Sequence, residues 1–274
     1  MGGTALIISS PTKDVIHIRG ESYVKPGGPA LYAGATLAGR GYRVLALGPY
    51  GYETLETVKV ESMLGVERLG YYYSDSPGMV FAHFYRGGSR ISRVDSRAPG
   101  IDQSLVVEAV REASPDIVLL SPVYGEEAGP IVQLLASAAT NSCLAVDVQG
   151  YVRVYGGLWA QMASTGRYTI IHASSDDFGV GEALGSGVKG VIVHTSGVGP
   201  IRIVKGGKVS MVIEPPIEEY HDPTGAGDIF TSLLAAEYCR THDLPWAVWA
   251  AAKATPGALE SIHGAIRGVI KSKP

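Results

Sequence analysis

The stretch His221-Asp-Pro-Thr-Gly-Ala-Gly-Asp228-Ile-Phe-Thr-Ser-Leu-Leu-Ala-Ala-Glu-Tyr-Cys239 holds the densest chemistry in the chain. Gly225 and Gly227 lack Cβ atoms, so successive backbone N–H groups can converge on one point where a helix begins. The positive end of that helix makes the point an anion hole formed by Gly225, Ala226 and Gly227. Asp228 falls in the first helical turn, where the dipole favours its ionised form, and from there it can take a proton from an alcohol lying beside the bound anion. Phosphoryl transfer to a hydroxyl needs that pairing of donors and carboxylate. The plainer reading of the same residues is an N-cap at Asp222 or Thr224 with a favourable first-turn charge at Asp228.

Outward from this stretch, short apolar β-rich runs recur at 5–9, 44–47, 117–120, 144–146, 169–171 and 191–193. Helical-length segments at 29–40, 52–64, 103–113, 129–138 and 176–184 separate most of them. Non-alternating strands interleaved with helices predict a mostly parallel, doubly wound α/β sheet. A hairpin over 201–213, turning at Gly206-Gly207, leads into a helical C-terminal third. The segments 15–25 and 68–94, rich in Tyr, Phe and Gly-containing turns, read instead as a small antiparallel sheet, a lid or an edge extension, within a single domain spanning 1–274.

The motif at 222–228 resembles the C-terminal signature of the ribokinase (PfkB) family of carbohydrate and nucleoside kinases. The resemblance implies a ribokinase-like fold with a β lid, Asp228 as catalytic base and residues 225–227 as anion hole. Pro26-Gly-Gly-Pro-Ala-Leu-Tyr-Ala-Gly is similar to the family's first motif, a Gly-Gly pair opening a helix. It implies substrate contacts at Gly27, Gly28 and, where the family often has Asn, at Tyr32; Asp14 stands in the place of the family's sugar-binding Asp. Val146-Asp-Val-Gln-Gly-Tyr-Val-Arg153 looks like the inositol-kinase-like branch and adds Asp147 and Gln149 to the polyol side, with a structural loop and an Arg153 ion pair as the alternative. Val193-His-Thr-Ser-Gly-Val-Gly199 resembles the strand and loop that cradle the nucleotide, implying Thr195 and Gly197, with Thr224 beside them. The family's Asn-x-x-Glu motif is reduced to Ser174-Ser-Asp-Asp177, in which Asp177 is a metal candidate through water and Ser174 a candidate helix N-cap.

The expected activity is therefore transfer of the γ-phosphoryl group of ATP, with Mg2+, to a hydroxyl of a small sugar or cyclic polyol. A nucleoside kinase of the same family, using Tyr71, Tyr72, Tyr73, Phe81, Phe84 and Tyr85 for stacking, is the first alternative, and an inactive ligand-binding homologue is the second. Activation by a monovalent cation such as K+ at Asp222 and Thr224 stays open.

Composition narrows the partners. Gly (36) and Pro (16) make up about 19% of the 274 residues, short of the ~25–30% of disordered chains, and 46% of the chain is hydrophobic. A net charge of −3 with no basic tract argues against nucleic acid and anionic membranes as partners. The expectation is a cytoplasmic protein, monomeric or dimeric through the lid, with no leader or anchor at its start. Gly185-Ser-Gly-Val-Lys-Gly190 fits the G-x-G-x-x-G pattern but follows a helix and precedes a strand, the reverse of a dinucleotide site. Seven dispersed His residues read as surface or capped, and Cys143 and Cys239 as reduced core thiols. Asn141 is the sole asparagine, a depletion found in heat-adapted proteins.

Overall fold

The computed structural model describes residues 2–18, 20–86, 89–124, 130–160, 169–188, 190–216 and 222–271. The N-terminal part runs β1 (Thr4–Ile8), β2 (Thr12–Ile18), β3 (Glu21–Gly27), α1 (Pro29–Gly39), β4 (Arg43–Leu47), β5 (Tyr50–Gly51), α2 (Leu55–Met63) and β6 (Val66–Arg68). There follow β7 (Tyr72–Tyr73), β8 (Met79–Arg86), β9 (Ser89–Ser96), α3 (Gln103–Ala113), β10 (Ile117–Leu120), α4 (Pro130–Ala138), β11 (Cys143–Asp147) and α5 (Gln149–Tyr155). The remainder is β12 (Ile170–Ser174), α6 (Val180–Gly185), β13 (Val191–Ser196), β14 (Gly199–Lys205), β15 (Lys208–Ile213), α7 (Ala226–Thr241) and α8 (Leu244–Lys271).

Nine strands form the central sheet in the order β15-β14-β13-β12-β11-β10-β1-β4-β6, parallel except for the hairpin strands β14 and β15. The strands read as unbroken apolar runs because both faces are covered. Along β1, Ala5 and Ile7 pack against α1, α7 and α8, while Leu6 and Ile8 pack toward α3, α4 and α5. Strand order reverses at β1, which lies between β10 and β4, so the crevice beyond the strand carboxyl ends opens there. A buried bidentate pair, Arg68 Nε and Nη2 to the two Glu61 oxygens at 2.7 Å each, also lends Arg68 Nη1 to the Ser9 carbonyl at 3.2 Å and so fixes the chain where it leaves β1.

A second sheet, β3-β2-β8-β9, stands beside the first, with β2 and β8 parallel and the other pairs antiparallel. Its strands cover Thr12–Ile18, Glu21–Gly27, Met79–Arg86 and Ser89–Ser96. Residues 69–73 do not join it: Tyr72 and Tyr73 pair with Tyr50 and Gly51 in a separate two-stranded ribbon, and β6 belongs to the main sheet. Three consecutive tyrosines have the β propensity of any half-exposed strand but do not name its neighbour, so the sequence alone assigns them to the wrong sheet.

The cysteines overturn the expectation of free thiols. Cys143 at the start of β11 and Cys239 near the end of α7 form a disulfide across a sequence separation of 96. Among the described residues no helix is long and apolar enough to cross a membrane.

Candidate active site

A cleft of about 860 Å³ runs along the carboxyl ends of the parallel strands, under the second sheet. At one wall stands the start of α7. Gly225 has φ +89°, a left-handed conformation that glycine adopts without strain, and its backbone presses on the buried ring of Tyr32. A Cβ there would meet Tyr32 Cδ1 and Cγ at 2.4 Å. Gly225→Ala is therefore expected to displace the loop and cut catalytic turnover at least tenfold while lowering stability by about 1–3 kcal/mol, measured as steady-state rate and unfolding midpoint. The Ala226 N–H is turned back onto the Pro223 carbonyl at 3.0 Å, and Asp228, in the first turn, lines the cleft.

Asp14 forms part of the facing wall. It is buried on β2, where its Oδ1 accepts the Thr12 hydroxyl at 2.7 Å, and His83 Nε2 lies 3.8 Å from the same oxygen. His83, from β8, is held by Ser92 Oγ at 2.8 Å from Nδ1. Gly27 backs the carboxylate: a Cβ at Gly27 would fall 2.2 Å from Asp14 Oδ2, so only glycine lets β3 pass this close. Gly28, Pro29, Tyr32, Gln149 and Arg153 also line the cleft. Arg153 donates to the Val123 carbonyl at 2.9 Å and lies over the Phe81 ring, whose other neighbour is the stacked ring of His83.

The floor is a buried polar network that crosses three strands and a helix. Asp147, ending β11, accepts His172 Nδ1–H at 2.8 Å through Oδ2 and the Gln149 N–H at 2.9 Å through Oδ1. His172 Nε2 faces the Thr195 hydroxyl at 3.1 Å. Thr231 on α7 donates its hydroxyl to the Gly227 carbonyl at 2.8 Å, and the same oxygen lies 2.8 Å from His172 Nδ1, tying the floor to the 225–227 loop. Burial would raise the Asp147 pKa, yet the His172 hydrogen bond and charge, the Gln149 amide and Arg153 together bring it below the usual carboxylate value. Asp177 moves the opposite way, raised by burial and by the charge of Asp147 against the hydrogen bonds it accepts from Ser174 N–H and hydroxyl, each 2.8 Å.

The cleft thus brings together Asp14, Gly28, Tyr32, Asp147, Gln149, Asp177, Thr195, Gly197, Thr224, the 225–227 loop and Asp228, with Gly27 directly behind. Ser174 is not a helix cap: it ends β12, and α6 begins only at Val180 after Gly179. The histidines also depart from expectation, since His83, His172 and His194 are buried and the first two line the cleft. Sequence offered no signal for either, because each gains its partners from strands remote in the chain. Of the aromatic set, Phe81 alone lines the cleft among the described side chains, while Phe84 stacks on His17 with ring centroids 4.5 Å apart.

The three-layer architecture, the second sheet and the Gly-rich helix start define a ribokinase-like α/β fold. No family model matches the sequence, and no curated protein matches it. Among solved structures, the chain is similar to a pyrophosphate-dependent kinase in the ribokinase family complexed with a pyrophosphate analog and myo-inositol (18% identity, 94% of this chain and 95% of that one, TM-score 0.76). It is also similar to ribokinase from Thermotoga maritima (15%, 98% and 100%, 0.69) and to adenosine kinase from Anopheles gambiae (13%, 98% and 98%, 0.70).

Proposed function

We propose that the protein is a kinase that transfers the terminal phosphoryl group of ATP to a hydroxyl of a small cyclic polyol or sugar. The carrying observation is that Asp228, the positive start of α7 and the buried Asp14 line one cleft. Asp14, His83, Tyr32, Gln149 and Arg153 supply hydroxyl-binding groups at one end; Thr195, Gly197 and Thr224 take the donor at the other. Asp228 accepts the proton of the attacking hydroxyl. Because the Ala226 amide is engaged by Pro223, the neighbouring Gly225 and Gly227 amides become the principal anion donors.

Mg2+ fits the donor end. Asp176 and Asp177 offer hard oxygen ligands, and a cation beside Asp177 relieves the crowding with Asp147 that raises its pKa. Bound with the donor, the ion neutralises charge between the β- and γ-phosphates. Among the described residues no group of three or more His, Cys, Asp or Glu is arranged to hold a metal, so Asp176 and Asp177 would hold the ion only together with oxygens of the donor and solvent.

A polyol is favoured over a nucleoside because, of the aromatic set at 71–73, 81 and 84, Phe81 alone lines the cleft. Phe81 is covered by Arg153 and His83, and the 71–73 tyrosines belong to a different ribbon. The test is a panel of inositols, sugars and nucleosides with ATP or pyrophosphate as donor, products read by phosphorus NMR. Transfer to an inositol or sugar is expected, with nucleosides inert. Transfer to nucleosides alone reverses the substrate assignment, pyrophosphate as the sole effective donor replaces ATP, and tight polyol binding without transfer from either donor shows a binding protein.

A further inference from the structure

The anion loop is anchored at its base by Asp222, and this anchor carries its own cation. Lys25 Nζ, on β3, lies 3.0 Å from Asp222 Oδ2, with its side chain 13% exposed. Asp222 Oδ1 accepts the Thr224 N–H at 2.9 Å. The Thr224 carbonyl in turn accepts His263 Nε2 at 3.0 Å. A carbonyl only accepts, so Nε2 bears a proton, and Nδ1 lies 3.9 Å from Asp222 Oδ2. Burial, together with the charges of Lys25 and Arg267, holds the His263 pKa below its ordinary value against the Thr224 bond and Asp222. The Asp222 carboxyl, which burial alone would raise, is brought down to about 2 by the Lys25 charge, the Thr224 hydrogen bonds and the Lys25 hydrogen bond.

A monovalent cation at Asp222 and Thr224 would have to coordinate these same carboxylate and carbonyl oxygens in place of water. Both already hold protein donors, one of them a full positive charge tethered to the chain. An incoming K+ would have to displace the ammonium from Asp222 and break the His263 bond to the Thr224 carbonyl. The residues present do not fit the ion.

We infer that the Lys25 ammonium is the resident cation of the anion loop, a positioning residue that holds Asp222 and the start of α7 in place of K+ or Na+. Because Lys25 lies on the strand that leads to Gly27-Gly28, the same contact ties the polyol wall to the phosphate wall. The kinetic consequence rests on the proposed kinase activity; the binding consequence does not.

The experiment compares wild type, Lys25→Met and Lys25→Arg in Li+, Na+, K+ and tetramethylammonium chloride at one ionic strength. Unfolding midpoint, thallium-205 NMR titration and phosphoryl transfer are read in parallel. Wild type is expected to show equal midpoints, no saturable thallium binding and rates equal within about twofold, because an ion that does not bind the native state cannot shift it. Lys25→Met is expected to lose at least tenfold in rate and to regain part of it, with saturable thallium binding, in K+; Lys25→Arg stays cation-independent. Saturable thallium binding or K+ stabilisation in wild type overturns the inference, as does a Lys25→Met protein that folds with wild-type rate and no cation response. If Lys25→Met fails to fold, the wild-type titration still decides. If wild type transfers phosphate to nothing, the function fails while midpoints and thallium binding judge the cation separately.

Discussion

Asp228→Asn is expected to lower turnover by about 10³-fold, within the ~10²–10⁴ that a positioned general base contributes, while leaving the fold and polyol affinity nearly intact. Asn is isosteric with Asp, so the first turn of α7 keeps its shape and the Tyr32–Gly225 contact is undisturbed. What is lost is the carboxylate that takes the proton and a first-turn negative charge worth about 0.3–1 kcal/mol to the helix, a shift of only a few degrees in midpoint. Turnover, calorimetric binding of the acceptor and thermal unfolding, measured together, separate the two roles. Were Asp228 only a helix-end charge, the variant would keep most of its rate and show the small stability loss alone. A retained rate above about a tenth of wild type removes Asp228 as base.

The way the site is assembled explains which parts could be read from the chain. β1, β10, β11, β12 and β13 are legible because burial on both faces writes a continuous apolar run, and the intervening helices force parallel order. The anion loop is legible because Gly225 needs a positive φ and a Cβ-free approach to Tyr32, which only glycine supplies. Asp147 was reachable as a carboxylate at a strand end facing the crevice, and Asp14 through the family resemblance. His83, His172, Lys25 and His263 were not, because each is a single residue whose meaning comes from a partner on another element. His172 is ordinary in Thr169-Ile-Ile-His-Ala until the sheet sets it between Asp147 and Thr195. Lys25 is only the end of the 15–25 segment until the fold carries Asp222 to it across 197 positions. The tyrosine run failed for the opposite reason: its local pattern was clear, but pattern fixes strand character and not the neighbour, and the neighbour was Tyr50.

Reduction of the Cys143–Cys239 bond is expected to have the largest effect on stability. The bond closes a loop of 96 residues, for which the chain-entropy model gives about 4–5 kcal/mol. For a chain of this size that is a fall in unfolding midpoint of roughly 10–15 °C. The Cys143→Ala/Cys239→Ala double variant should fall by a similar amount and lose its further sensitivity to reductant. Catalytic rate well below the transition should change little, because of where the staple sits. β11 begins at Cys143 and reaches the cleft at Asp147; α7 enters the cleft at Asp228 and ends near Cys239. The bond thus joins the two elements at the end remote from the chemistry, where it limits the unfolded chain without constraining the reacting groups. Thiol titration of the denatured, unreduced protein should find no free thiols among the two cysteines. Two titratable thiols, or a midpoint unmoved by reductant, would remove the staple, and a rate that falls with reduction at low temperature would make it a switch.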